Sequence, residues 1–305
     1  MVALVIGLGV AILYEYSNSR PTGSDSGSCW QPSISAYYYT PVQLFFVGAL
    51  VAIGVSLIAL KGSTELEDVF LNFAGILAPV VAFVPTPNFG GRCGPILTDT
   101  TNQAHNISNN INALLFMAAF AFVVLGVLKL LGRPVTGVPV PGTHVNEASA
   151  HRIAVVGYAA AFGLFVVAAV VFYVNREWFN GKAHWIAAVT MFVFIWFVVA
   201  SNAVNFFFTR AKIVADQTAS GGAGEAKPAR PVNRYAVIAI LMPAAALIIL
   251  LVPFFGGYRA IWLEATMITL FAYFWIIQTL ELWNQGLRTP DAGVRPTVTL
   301  APGRR

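Results

Sequence analysis

Apolar residues in this chain come in long runs separated by short polar breaks, and the runs predict the elements. They cover roughly 2–16, 41–60, 69–86, 112–131, 153–174, 184–208, 235–256 and 262–283. A helix needs about 20 mainly apolar residues to cross about 30 Å of hydrocarbon, and all but the first run are long enough. The pattern predicts an all-α integral membrane protein, a bundle of about eight transmembrane helices in one domain over 1–283. A tail, 284–305, follows. The first run is the short one. Residues 1–14 would form about 21 Å of helix, and they lack the basic start and small-residue cleavage site of a signal peptide. They read as a span that is clipped at its start or extended by Glu15 and Tyr16.

Composition supports the bilayer reading. Only 10% of the residues are charged, against about 25% in soluble domains. Lipid solvates exposed Leu, Val and Phe, so a lipid-facing surface accounts for the deficit. The net charge of +5 is then a membrane signal, and no nucleic-acid partner is expected. If the N-terminus is cytoplasmic and the spans alternate, the inner loops hold 13 Lys and Arg and the outer loops hold 5. Positive loops stay on the cytoplasmic side. This predicts a plasma-membrane protein with both termini inside.

The two cysteines, Cys29 and Cys93, then fall in the first and second outer loops. A disulfide between them is expected there, because disulfides persist on the oxidising side; two free thiols are the other reading. Residues 132–151 and 209–234 are expected to be flexible basic inner loops. The Gly- and Ala-rich stretch 218–229 has the composition of a linker. Asn106-Ile-Ser108 matches a glycosylation acceptor by chance composition.

Candidate chemistry is sparse. An ionisable side chain inside a membrane is a functional hypothesis by default, yet the middle of every predicted span is uncharged. Glu67 and Asp68 lie at the inner mouth of the third span, where acids suit the positive end of a helix. The amides Asn72, Asn112, Asn202, Asn205 and Gln278 are expected to hydrogen-bond between helices, with Gly48, Ala49, Gly54, Gly157 and Gly163 allowing close helix packing. The densest polar and aromatic cluster is predicted on the extracytoplasmic side. It comprises 32–41 with Ser33, Ser35, Tyr37, Tyr38 and Tyr39, then His184, then Trp262 and Glu264. His184 and Glu264 form a candidate acid–base pair there, the carboxylate orienting the imidazole. The plainer reading is that Tyr and Trp gather at membrane interfaces because they are amphipathic. No metal site is expected: His105 and His184 fall on one side and His144 and His151 on the other, too few for a three-histidine zinc site. No nucleotide or serine-hydrolase motif is present, and no cofactor is implied.

Ser33-Ile-Ser-Ala-Tyr-Tyr-Tyr-Thr-Pro-Val42, Phe46-Val-Gly-Ala-Leu-Val-Ala-Ile-Gly54 and Glu67-Asp-Val-Phe-Leu-Asn-Phe-Ala-Gly75 resemble a family of uncharacterised bacterial, actinobacterial-type multi-pass membrane proteins. His184 with Ala187 and Phe192, and Trp262, Glu264, Phe271 and Trp275, match two further helices of that family. The Ser-Ile-Ser-Ala element is distantly similar to the Frag/DRAM/Sfk membrane proteins. That similarity implies a lipid-related role but assigns no catalytic residue. Three readings follow. The first is a non-enzymatic protein that binds membrane lipids, another membrane protein or a second copy of itself at its outer face. The second is a lipid-modifying enzyme using His184 and Glu264. The third is a transporter or channel lined by Asn72, Asn112 or Asn202.

Overall fold

The computed structural model describes residues 1–21, 23, 27–86, 93–94, 101–132, 147–219 and 232–283. Among them are eight α-helices: α1 (Val2–Asn18), α2 (Gln43–Ala59), α3 (Glu65–Phe83), α4 (Gln103–Leu130), α5 (Glu147–Val174), α6 (Arg176–Ala219), α7 (Arg234–Leu251) and α8 (Arg259–Leu282). Six of them, α3 to α8, are long and apolar enough to cross a membrane. α1 and α2 have 17 residues each, about 26 Å of helix. The chain is a multi-pass, all-α membrane protein.

Successive helices run in alternate directions between two ends. At one end, β1 (Arg20–Pro21) pairs antiparallel with β2 (Cys93–Gly94). There Cys29 and Cys93 are joined by a disulfide with their Cα atoms 5.7 Å apart. The expected bridge is present. Trp30, next to Cys29, stacks on Tyr16 at 4.1 Å between ring centroids. The opposite end carries the α2–α3 turn, the start of α7 and the end of α8.

α3 is the central helix, packed on α2 and α6 and touched by α4 and α5. The α2–α3 crossing depends on two glycines. A Cβ on Gly54 would lie 2.8 Å from the Gly75 carbonyl, and one on Gly75 would lie 2.6 Å from the Gly54 carbonyl. The backbones touch where any side chain would collide. Gly157 likewise faces Val69, but Gly48 and Gly163 meet nothing within 4 Å. Of the glycines expected at packing contacts, those two face open space. Between α3 and α6 the middle of the bundle is apolar: Leu71, Ala74, Leu77, Ala78 and Val81 meet Ala187, Met191, Ile195, Val198 and Val199.

Several helices exceed their predicted spans. α4 begins at Gln103 rather than 112, because Ser108 and Asn112 bond back to Ala104 and Ser108 carbonyls of their own helix. Such back-bonding satisfies polar side chains without ending a helix. α6 has 44 residues, about 66 Å, so the stretch from 209 to 219 is helical rather than part of a flexible loop. α5 similarly takes in 147–151, at the end of the other predicted loop. The rest of those loops, 133–146 and 220–231, and the tail 284–305 lie outside the described residues, as does His144.

Candidate functional site

The predicted cluster assembles at the disulfide end around a short 3-10 helix, Ser35–Tyr39. The first N–H groups of any helix lack partners within it and need acceptors elsewhere. Here two helix starts serve each other. The Ile34 N–H donates to Glu264 Oε2 at 2.5 Å, and Ser35 Oγ donates to Glu264 Oε1 at 3.3 Å. In return, the Ile261 N–H, in the first turn of α8, donates to the Pro32 carbonyl at 3.1 Å. Ser33 Oγ accepts from the Ala36 N–H, and Thr40 Oγ1 donates to the Tyr37 carbonyl.

The three tyrosines point inward. Tyr37, Tyr38 and Tyr39 are buried with Leu8, Ile12, Phe46 and Ile261. Tyr39 Oη donates to the Thr86 carbonyl at 2.6 Å and accepts from Gln103 Nε2 at 2.8 Å, linking the 3-10 helix to the segment after α3 and to the first residue of α4. Burial pushes the Tyr37 and Tyr39 hydroxyls up to about 12. Both stay protonated at ordinary pH and are not bases. Trp262 differs from them: it is 52% exposed, beside exposed Phe254, Tyr258 and Arg259.

His184 stands apart from this cluster. It is buried (1% exposed) among Val84, Phe179 and their neighbours rather than displayed on a face. Its Nδ1 lies 2.6 Å from the Val84 carbonyl. A carbonyl only accepts, so Nδ1 carries the proton. Nε2 is then a buried acceptor with no protein partner. The structure unites Ser33, Ser35, the tyrosines and Glu264, and gives His184 and Glu264 separate partners, with no hydrogen bond between them. Each is bonded to the backbone of another segment, Val84 for one and Ile34 for the other, which is why the pair does not form. Among the described residues no group of three or more His, Cys, Asp or Glu side chains could hold a metal ion.

No protein-family model, no curated protein and no solved structure matches this chain.

The opposite end holds a second cluster that the sequence did not suggest. Thr64 caps α3, its hydroxyl accepting from the Glu67 N–H at 3.2 Å, and Glu67 Oε2 reaches back to the Ser63 N–H at 2.9 Å. This much is the capping role expected of an acid in a first turn. The other oxygen does more. Glu67 Oε1 accepts from Asn202 Nδ2 of α6 at 2.6 Å and from Gln278 Nε2 of α8 at 3.2 Å. Gln278 Nε2 also donates to Asn202 Oδ1 at 3.1 Å. Asn202 and Gln278 do bond between helices, as expected. Asn112 does too, accepting from Tyr173 of α5 at 2.7 Å. The same end carries ion pairs of Lys61 with Glu65 and Asp68, and of Arg234 with Glu281. Tyr235 Oη also donates to Glu281, at 2.6 Å. Gly62 is required here, since a Cβ on it would lie 2.8 Å from Glu67 Cγ and 2.9 Å from Asp68 Oδ1.

Proposed function

We propose that this chain is a non-enzymatic plasma-membrane protein that crosses the bilayer eight times, keeps both termini in the cytoplasm and binds anionic lipid at its outer face. The orientation rests on the Lys and Arg bias of the loops and on a disulfide at the end that this bias assigns to the oxidising side. The alternation of all eight helices between two ends favours full crossings by α1 and α2. A 17-residue helix spans about 26 Å, and a bilayer thins locally to meet a short span.

The observation that carries the lipid reading is the division of labour at the disulfide end. Its polar groups face inward and hold the 3-10 helix, whereas Phe254 and Tyr258, just before α8, and Arg259 and Trp262, in its first turn, are exposed. Aromatic rings at headgroup depth beside a guanidinium suit an acyl–headgroup boundary and an anionic headgroup. A lipid-modifying enzyme built on His184 and Glu264 would need those side chains to share a substrate, and each is bonded elsewhere.

The test is mass spectrometry of the protein extracted with native lipid. One anionic lipid is expected to co-purify in stoichiometric amount and to be lost from Arg259→Ala and Trp262→Ala. Loss from His184→Ala alone would move the site away from α8. A stoichiometric protein partner with no lipid preference would replace lipid as the ligand.

A further inference from the structure

Between Lys182 and Arg210 the chain carries no Asp, Glu, Lys or Arg, so Lys182 marks where α6 leaves the hydrocarbon at the disulfide end. Helix geometry fixes its neighbours. At 3.6 residues per turn, Trp178, Lys182, Trp185 and Val189 fall within an arc of about 60° on one face. All four are exposed, Trp178 by 46%, Trp185 by 37% and Val189 by 60%. Val193 and Phe197, one and two turns farther along, are exposed as well. Among the described residues, nothing bonds to the Lys182 ammonium or to the indole N–H of Trp178 or Trp185. Trp196, on the same helix, is the contrast: it is half-buried, and its Nε1–H donates to the Ala239 carbonyl at 2.7 Å. The nearby charges point elsewhere. Arg176 lies over the Phe172 ring at 5.0 Å, and Glu177 is about 140° round the helix from Lys182.

We propose that the first turns of α6 bind one anionic phospholipid, its phosphate held by the Lys182 ammonium and the Trp178 and Trp185 indole N–H groups, and one acyl chain lying along Val189, Val193 and Phe197. The donors select the ligand. An ammonium and two N–H groups offer nothing to a cation, and their bonds to a charged phosphate are the strong kind. Each indole keeps its apolar body against the chain while its N–H meets the headgroup. The order of groups along the helix is the order within such a lipid, charge first and hydrocarbon after. From Val189 to Phe197 the helix rises about 12 Å, close to one leaflet of a core about 30 Å thick. Trp and Lys also gather at membrane surfaces as plain anchors. Three unused donors on one stripe, continued by an exposed apolar track, make a site of this one. It extends the outer-face lipid reading to a second helix and shares its orientation, but it uses none of the α8 residues.

The test uses the whole protein carrying Arg259→Ala and Trp262→Ala, so that α8 does not contribute, in an uncharged detergent. Phosphatidylglycerol and phosphatidylcholine are titrated separately, each with and without inorganic phosphate, and native mass spectrometry counts the bound molecules. One phosphatidylglycerol is expected to bind saturably and ahead of phosphatidylcholine, and inorganic phosphate is expected to leave it in place. Lys182→Glu should raise the half-saturating concentration about tenfold, since each basic residue at an anionic surface contributes substantially. Trp185→Phe keeps a ring and loses only the N–H, and it should raise that concentration by a smaller factor. Arg210→Glu, the same charge change at the far end of α6, should leave it unaltered. Equal weakening by Lys182→Glu and Arg210→Glu would overturn the proposal, because net charge would then be the cause. So would equal binding of the two lipids, which is plain anchoring, or displacement by inorganic phosphate, which is a free-anion site. Absence of any saturable lipid would overturn it too and leave α8 as the lipid site. If the protein with Arg259 and Trp262 intact binds the same single lipid, lost only with Lys182→Glu, the α8 reading fails and the α6 site stands.

Discussion

Tyr37 and Tyr39 are single residues whose chemistry follows from where the 3-10 helix puts them. Burial raises both hydroxyls from the usual 10 to about 12. Below pH 10 the folded and unfolded chains both keep these protons, and folding is unaffected. Between about 10 and 12 the unfolded chain releases them first, so stability falls as pH rises through that window. A spectrophotometric titration of tyrosinate should show a late step near pH 12 that is reduced in Tyr37→Phe and Tyr39→Phe. A single step near 10 would mean that the tyrosines are accessible. Tyr39→Phe should also lower stability at neutral pH by about 1–2 kcal/mol, because it removes the bonds to Thr86 and from Gln103, each with a usual net value of about 1 kcal/mol. Thermal unfolding in detergent measures it. Glu264 is tied more strongly. Removing it would leave the Ile34 N–H and Ser35 Oγ without their acceptor at the start of the 3-10 helix, and an unsatisfied buried donor costs about 1–3 kcal/mol. Glu264→Ala should lower the unfolding midpoint more than Tyr39→Phe does; a smaller effect would mean that Ser33 and the Pro32 carbonyl already suffice to hold the 3-10 helix. The sequence pointed to Tyr39 and Glu264 as neighbours in depth, but not to their partners. Two of those partners are backbone groups, of Thr86 and Ile34, which leave no mark in residue type.

At the scale of elements, the glycines divide by what stands opposite them. Gly54 and Gly75 face each other's carbonyls across α2 and α3. Gly75→Val must push the two backbones apart, and overpacking of this kind costs about 1–3 kcal/mol or more. Gly48→Val, on the open side of α2, should leave the unfolding midpoint within error of wild type. Equal effects from both would show that helix propensity, not the crossing, decides. The existence of the long helices was readable in the sequence because apolar runs of bilayer length have few alternatives. Their ends were not. Gln103, Ser108 and Asn112 look like loop residues, yet α4 runs through them because their side chains bond within the helix. Arg210 and Lys212 look like the start of a linker, yet α6 continues past both. Hydropathy marks where a helix leaves lipid, not where it stops. The Glu67 cluster lies beyond any local pattern, since Asn202 and Gln278 are 135 and 211 residues away in the chain.

For the whole molecule, the disulfide has the widest reach. It closes a loop of 64 residues that contains all of α2 and α3, and the main helical contact of the bundle is made by α3. Removing a native crosslink typically costs about 2–5 kcal/mol. Cys29→Ser with Cys93→Ser should lower the unfolding midpoint clearly, and reductant should do the same to the wild type. No change in either would mean that β1–β2 pairing and the Trp30–Tyr16 stack hold that end alone. The bond also divides the work between the two ends. One is closed covalently around neutral tyrosines, and the other is held by ion pairs and a carboxylate shared among three helices. Salt should therefore act at the Glu67 end, through its ion pairs, and thiol reagents at the Cys29 end.

The same bridge also dates an event in the life of the chain. In the proposed topology, Cys93 reaches Cys29 only when both α2 and α3 have been threaded through the bilayer. Oxidation is then a timestamp on the first hairpin. In a pulse-labelled nascent chain, the appearance of the faster-migrating oxidised form would mark the moment at which residues 29–93 become a closed ring, and the helices from α4 onward would assemble against a scaffold already locked.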